Sequence, residues 1–389
     1  MVSVWTGTGA LASDFYGFAT NGTNEYHLRT HTGQNLISMQ QNEMLQVLLQ
    51  DGHAVIQDTF RHISWFSRDG STRVSQVAGS EFRVTDRHLA VITPEAFAQV
   101  YDANGKILWS THRPVKGLGL ARTRFAWIDR WRSEFELLDL PTAGQKPRVK
   151  FSRAFVQEAA ISEGFVYLKR ESGAQELFGA GLKQLAIEIP QSIQISDDLA
   201  VIRTQDGRIR VYSPERALFV RSFVEQVILT PFYLALIDRS GIEIFSNQGQ
   251  FLGRHLVAGR VHATLNSVAI HEVSGSVRVL GIAQTGEMAP RLELAWIPRA
   301  ERVIVAPRYV MALNGYFFDL YSLQDSDFGQ RLHRGSHALD AGTQVHLGLE
   351  SIGFVNPNAL NGQVFHFSEQ PQAEQRVTGQ RFPLQKILD

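Results

Sequence analysis

Apolar and polar residues alternate with a period of two along nearly the whole chain, so successive side chains fall on opposite faces of an extended backbone and the predicted elements are strands. Residues 192 to 223 show the pattern in full. Ser192-Ile-Gln-Ile-Ser196, Leu199-Ala-Val-Ile202, Arg208-Ile-Arg-Val-Tyr212 and Ala217-Leu-Phe-Val220 read as four strands. Between them stand turn formers: Asp197-Asp198, Asp206-Gly207 and Ser213-Pro-Glu-Arg216. Asp-Gly between alternating runs predicts a type I′ hairpin, because Gly and Asp supply positive φ at little cost. The unit is an antiparallel four-stranded meander.

The unit is copied along the chain. A turn glycine followed by an alternating run recurs in Gly173-Ala-Gln-Glu-Leu-Phe-Gly179, Gly207-Arg-Ile-Arg-Val-Tyr-Ser213, Gly241-Ile-Glu-Ile-Phe-Ser246 and Gly275-Ser-Val-Arg-Val-Leu-Gly281. A small residue sits in the second strand of several copies, as in Leu89-Ala-Val-Ile92, Phe125-Ala-Trp-Ile128 and Leu234-Ala-Leu-Ile237, where sheets would press closest. Taking the apolar residue before the next turn as an anchor gives Leu28, Phe66, Tyr101, Leu138, Phe178, Tyr212, Phe245, Leu280, Tyr321 and Phe367, spaced 33 to 46 residues apart. That period suits a four-stranded propeller blade. The sequence predicts an all-β chain, a β-propeller of about ten four-stranded antiparallel blades in one domain over 1–389. The expected blades cover about 1–40, 41–80, 81–114, 115–152, 153–189, 190–223, 224–257, 258–299, 300–335 and 336–389. Two five-bladed rings joined near Ile189-Pro190, or eight to nine blades with decorated edges, are the alternatives.

One unit carries a family likeness. Val100-Tyr-Asp-Ala-Asn-Gly-Lys-Ile-Leu-Trp109 resembles the blade signature of quinoprotein-like (PQQ-type) propellers, in which an Asp-x-x-x-Gly turn precedes a strand ending in Trp. Elsewhere the chain is similar to the broad WD40/PQQ-like superfamily, although the Trp-Asp dipeptide never occurs. The resemblance implies architecture only, since that superfamily hosts many unrelated functions.

Charge and cysteine content narrow the function classes. Lys and Arg total 38, as do Asp and Glu, so no global field favours nucleic acid or an anionic membrane and any electrostatic binding has to be local. The chain has no cysteine, which removes disulfides, thiolate metal sites and cysteine nucleophiles. That composition, with no signal-peptide pattern at the N-terminus and no apolar run long enough to span a bilayer, leads us to expect a cytoplasmic location.

No motif commits the chain to catalysis. Tyr26-His-Leu-Arg-Thr-His-Thr-Gly33 imitates the histidine half of a zinc finger, but the two cysteines that would complete the tetrahedron are missing. Gly-x-Ser-x-Gly is absent, and Gly-rich pieces such as Gly117-Leu-Gly119 lack the following helix N-terminus that phosphate binding requires. We therefore expect no enzyme, and assign no catalytic residue, metal or cofactor.

The candidate binding site is local and basic. Where other units place Asp-Gly or Ser-Gly, the fourth has Asp129-Arg-Trp-Arg-Ser133, with Trp131 between Arg130 and Arg132 at a hairpin tip. Trp and Arg are enriched at interface hot spots. In a propeller the connection leading into a blade shares a face with this turn, so His112, Arg113 and Lys116, and from the next connection Lys150 and Arg153, are expected to encircle Trp131. Two readings stand side by side: Trp131 against a neighbouring blade with its arginines solvated, or a patch for an acidic protein partner or other polyanion. Arg299, Arg302 and His262 would extend the positive rim. The expected function is that of a soluble, non-enzymatic scaffold or adaptor in a larger, bacterial assembly. The rival is a small-ligand or glycan-binding propeller, hydrolytic or not, that uses its central channel. The C-terminal Arg381-Phe-Pro-Leu-Gln-Lys-Ile-Leu-Asp389 is expected either to latch onto the first unit or to act as a docking tail.

Overall fold

The computed structural model describes residues 52–140 and 147–257 continuously. Outside them it describes 3–4, 9–11, 15–19, 25–30, 35–40, 43–50, 259–264, 266–283, 291–305, 309–315, 317–323, 328–336, 344–347, 351–356, 361–366 and 378–383. Among these residues there is no α-helix, and the strands form ten antiparallel sheets. The repeating unit is a four-stranded antiparallel meander, the form of a propeller blade, as the period-two pattern predicts.

Five sheets follow one another in the compact unit Val77–Leu256. Sheet 3 comprises Glu81–Val84, His88–Ile92, Ala98–Asp102 and Ile107–Ser110. Sheet 4 comprises Val115–Leu120, Arg124–Asp129, Phe135–Asp139 and Arg148–Arg153. Sheet 5 runs from Val156–Ile161 to Gln184–Glu188, sheet 6 from Ser192–Ile195 to Ala217–Arg221, and sheet 7 from Gln226–Leu229 to Phe251–His255. Each is a meander whose strands pair in chain order.

The other compact unit comprises Met1–Gln76 and Val257–Asp389. Sheet 1 begins at Gly9–Leu11 and ends at Asn35–Gln40; sheet 2 begins at Met44–Gln50 and ends at Thr72–Ala78. Ser3–Val4 adds a fifth strand to sheet 2, pairing with Leu49 and Leu48 instead of joining sheet 1. Sheet 8 lies between Gly259–Ala263 and Arg291–Ile297, sheet 9 between Arg302–Val305 and Arg331–Ser336, and sheet 10 between Gln344–Leu347 and Thr378–Pro383. Arg381, Phe382 and Pro383 of the C-terminal stretch are thus ladder residues, paired with Gln363, Gly362 and Asn361. The rest of that stretch, and His31 of the finger-like string, lie outside the described residues.

Sheet 4 is apolar on both faces because it is sandwiched between sheets 3 and 5. Phe125, Trp127 and Leu138 of sheet 4 share an apolar cluster with Ala90, Ile92 and Val100 of sheet 3. Ala126, Ile128 and Leu137, on the opposite face, meet Val166, Leu168 and Phe178 of sheet 5. The second-strand alanines Ala90, Ala126, Ala200, Ala235, Ala269 and Ala312 are all fully buried, where a larger side chain would hold the sheets apart.

The Asp206-Gly207 hairpin departs from the expected type I′ turn. Gly207 alone is left-handed, at φ +79°. Its N–H bonds to Thr204 O at 3.0 Å and Thr204 N–H to Arg208 O at 2.9 Å. This is a type I turn closed by a left-handed glycine, one of the common three-residue hairpin connections, in which Asp206 keeps an ordinary negative φ and only the glycine position is constrained.

Candidate functional site

In sheet 4 the turn between the second and third strands is one residue longer than the glycine turns. Asp129 N–H bonds to Glu134 O at 2.8 Å and Ser133 N–H to Asp129 O at 3.1 Å. Ser133, at φ +53°, fills the left-handed position held by Gly173, Gly207 and Gly275 in sheets 5, 6 and 8, and by Arg61 and Ala96 in sheets 2 and 3, where the sequence predicts glycine. The Asp129 side chain is 1% exposed, and its Oδ1 accepts the N–H groups of both Trp131 and Arg132 at 2.8 Å. A buried carboxylate thus caps the loop and fixes its backbone. The indole it presents is 77% exposed, so Trp131 stands clear of the neighbouring sheets.

The lead-in connection Thr111–Pro114 shares this edge of sheet 4. Arg130 N–H bonds to Pro114 O at 2.9 Å, joining tip and connection directly. His112, Arg113 and Lys116 are exposed there, together with Arg130 and Arg132 on the tip. Lys116 Nζ reaches Ser133 Oγ at 2.9 Å. Arg113 Nη1 lies 3.4 Å from Glu134 Oε2 and 3.9 Å from Asp129 Oδ2, so its charge is offset inside the patch. Burial, followed by the charge of Glu134, pushes the Glu136 carboxyl up, while Arg113 draws it down.

The two later cations do not complete the circle drawn from the sequence. Arg153 sits at the correct end of its strand, opposite Phe135, but its guanidinium lies over the rings of Phe151 and Phe178 at 4.9 and 5.6 Å. Lys150 is the extra residue of a bulge opposite Leu137 and Leu138, and its ammonium pairs with Asp139 toward the far end of the sheet. His112, Arg113, Lys116, Arg130 and Arg132 thus lie on the same edge of sheet 4 as Trp131, with the Arg153 guanidinium over an aromatic stack and the Lys150 ammonium directed to Asp139.

Sequence reasoning missed the apolar half of this edge. Val156 N–H bonds to Ser133 O at 2.8 Å, which puts Phe155, 63% exposed, beside the Trp131 loop. Ile189, leading into sheet 6, is 63% exposed and Phe223, leading into sheet 7, is 90% exposed. The intervals 155, 189 and 223 are equal, so an exposed apolar residue occupies the same place before three consecutive sheets. These sheets share one orientation. Ser162 Oγ donates to Ser196 O at 2.7 Å and Glu163 N–H to Asp197 Oδ1 at 2.9 Å on the opposite edge. On the Trp131 edge, Arg203 Nη1 donates to Val224 O at 2.7 Å. A row of exposed apolar residues interleaved with guanidinium groups results. No group of three or more His, Cys, Asp or Glu side chains among the described residues converges as metal ligands.

No known protein family matches the chain, and no curated protein sequence matches it. Solved structures give distant likenesses. One described as the eukaryotic initiation factor is 12% identical, covers 97% of this chain and 100% of that chain, and has a TM-score of 0.44. Kluyveromyces lactis Hsv2p is 13% identical, with 78% of this chain and 97% of that chain covered and a TM-score of 0.34. BamB from Moraxella catarrhalis is 14% identical, with 71% and 98% covered and a TM-score of 0.34. At these scores none of them bears on function.

Proposed function

We propose that the protein is a non-enzymatic scaffold that binds another protein along the edge of sheets 4 to 7, with Trp131 as the anchor. The carrying observation is a 77% exposed tryptophan on a loop held rigid by a buried aspartate, with Arg130 and Arg132 on either side. A pre-ordered aromatic loses little conformational freedom on binding, and exposed apolar side chains gain by leaving water. Phe155, Ile189 and Phe223 extend the apolar contact, and the arginines select a partner with acidic residues around an apolar pocket. The protein supplies surface and geometry and performs no chemistry at this edge.

The double variant W131A/R132A tests the reading in affinity purification from the source cell, quantified by mass spectrometry against wild type. Partner recovery is expected to fall at least tenfold while the melting temperature stays within a few degrees, because neither side chain contributes to the apolar core. Unchanged recovery removes this edge from the function.

A further inference from the structure

The outer edges of the sheets are not alike. In sheets 1, 3, 4, 5, 6, 7 and 9 the pairing of the third and fourth strands shifts by one residue, so the outer strand carries an extra one: Leu108 in sheet 3, Leu185 in sheet 5 and Leu218 in sheet 6, for example. Such a bulge bends and twists an edge strand, and its unpaired N–H and C=O groups no longer template a straight neighbour. Sheet 2 breaks its outer strand with Gln76 at φ +53°, and that of sheet 10 ends on Pro383, which has no N–H to donate. Sheet 8 has none of these devices. Val277–Ala283 and Arg291–Ile297 pair residue for residue, from Val277 opposite Ile297 to Ala283 opposite Arg291. Arg291–Ile297 is the last strand of that sheet, and among the described residues no strand pairs with its far edge.

The same strand presents an exposed indole. Ala295 and Ile297 are buried in a cluster with Val303 and Val310 of sheet 9, which anchors one face. Trp296, on the alternate face, is 57% exposed, with the guanidinium of Arg278, the residue opposite it, 5.2 Å from the ring centroid. The ring is thus ordered before any contact is made. Two copies of the strand are self-complementary in one register. Opposite residues of an antiparallel pair share a face, so a two-fold axis between identical strands passes through a residue. At Leu294 the axis keeps all seven residues in the ladder, with Leu292 opposite Trp296, Glu293 opposite Ala295 and Arg291 opposite Ile297. No like charges stand opposite each other, and Pro290 and Pro298 fall just outside. At any residue other than Leu294 the ladder shortens, and at Glu293 the axis also sets that carboxylate against itself.

We propose that Arg291–Ile297 pairs antiparallel with the same strand of a second copy of this chain, joining the two copies of sheet 8 into one sheet across a two-fold axis at Leu294. Sedimentation equilibrium of the full-length protein, from about 1 to about 100 µM, is expected to show a monomer–dimer equilibrium. Hydrogen exchange of the wild type is expected to slow in residues 291–297 as the dimer forms, and to stay unchanged in 217–221, the bulged outer strand of sheet 6. W296E sets a charge opposite Leu292 of the second copy while its carboxylate can still meet Arg278. It is expected to raise the dimer dissociation constant about tenfold or more, with the melting temperature of the dilute monomer retained. V220K, at a 51% exposed position on the sheet 6 edge, and W131A/R132A are expected to dimerise as wild type. The second of these separates the sheet 8 edge from the protein-binding edge of sheets 4 to 7. A chain that stays monomeric over this range overturns the proposal, as does a dimer that forms without protecting 291–297 or that W296E leaves unweakened.

Discussion

His88 shows how burial of one ionisable group ties the blade to pH. It opens the second strand of sheet 3 and is 8% exposed, and its Nδ1 has no hydrogen-bond partner. Burial lowers its pKa even though a hydrogen bond from its ring N–H to the Arg122 backbone carbonyl and the charges of Asp86 and Asp102 pull upward. Above pH ~6.5 the imidazole is neutral in both folded and unfolded chains, so it contributes no pH dependence. Below that value the unfolded chain takes up a proton that the folded protein resists, and stability falls as the pH drops from about 6.5 toward the depressed folded value. Thermal melts between pH 7.5 and 5.5 are expected to fall more steeply for wild type than for H88Q, which cannot take up the proton. Parallel curves would show that His88 protonates equally in both states. Asp129 is a buried group of the opposite kind: its carboxylate is paid for by two backbone N–H groups, so burial there fixes a loop.

Among the elements, close sheet contacts depend on residues without side chains at a few joints, and two glycines of one unit separate steric demand from mere composition. A Cβ on Gly164 would stand 1.9 Å from Asp197 O, a backbone atom that cannot swing aside, whereas a Cβ on Gly117 would meet nothing within 4 Å. Gly164→Ala is expected to lower the denaturation midpoint by an amount worth roughly 2–3 kcal/mol, as overpacking does, and Gly117→Ala to leave it nearly unchanged. Chemical denaturation of the pair checks this, and equal effects would refute the steric account. Blades were legible in the sequence at this scale because a buried sheet face needs apolar residues every second position, and every copy repeats the need. The site was only partly legible. Trp131 stood out against the glycine turns, yet Lys150 was misplaced because alternation cannot show a bulge, and the bulge opposite Leu137 and Leu138 turns it toward Asp139. Arg113 and Glu134 are 21 residues apart, so their pairing follows only from the shared edge. The series Phe155, Ile189 and Phe223 was open to detection by its period, but each residue lies in a connection, outside the alternating runs that define the copies.

Above the single sheet, within the unit Val77–Leu256, stability is distributed as a succession of contacts between sheets adjacent in sequence. Within residues 77–256 one apolar cluster joins sheets 3 and 4, a second joins 4 and 5, a third joins 5 and 6, and a fourth joins 6 and 7. Repeat arrays with such nearest-neighbour coupling behave as sums of unit and interface terms, so damage at one interface weakens its own neighbours first. This suits the proposed function, since a binding edge carried by four sheets keeps its geometry only while each sheet is held on both faces. Phe125 is fully buried in the cluster between sheets 3 and 4, and truncating such a ring typically costs about 3–5 kcal/mol. In F125A, native-state hydrogen exchange is expected to lose most protection in residues 81–153, less in 156–188, and little in 226–255. A gradient of that kind would place the Trp131 loop on the weakened side and Phe223 on the retained side, so partner recovery by F125A would fall while the exposure of Phe223 persisted. Uniform loss from sheet 3 through sheet 7 would instead show that the five sheets open as one cooperative body, and the succession of separable contacts would have to be abandoned.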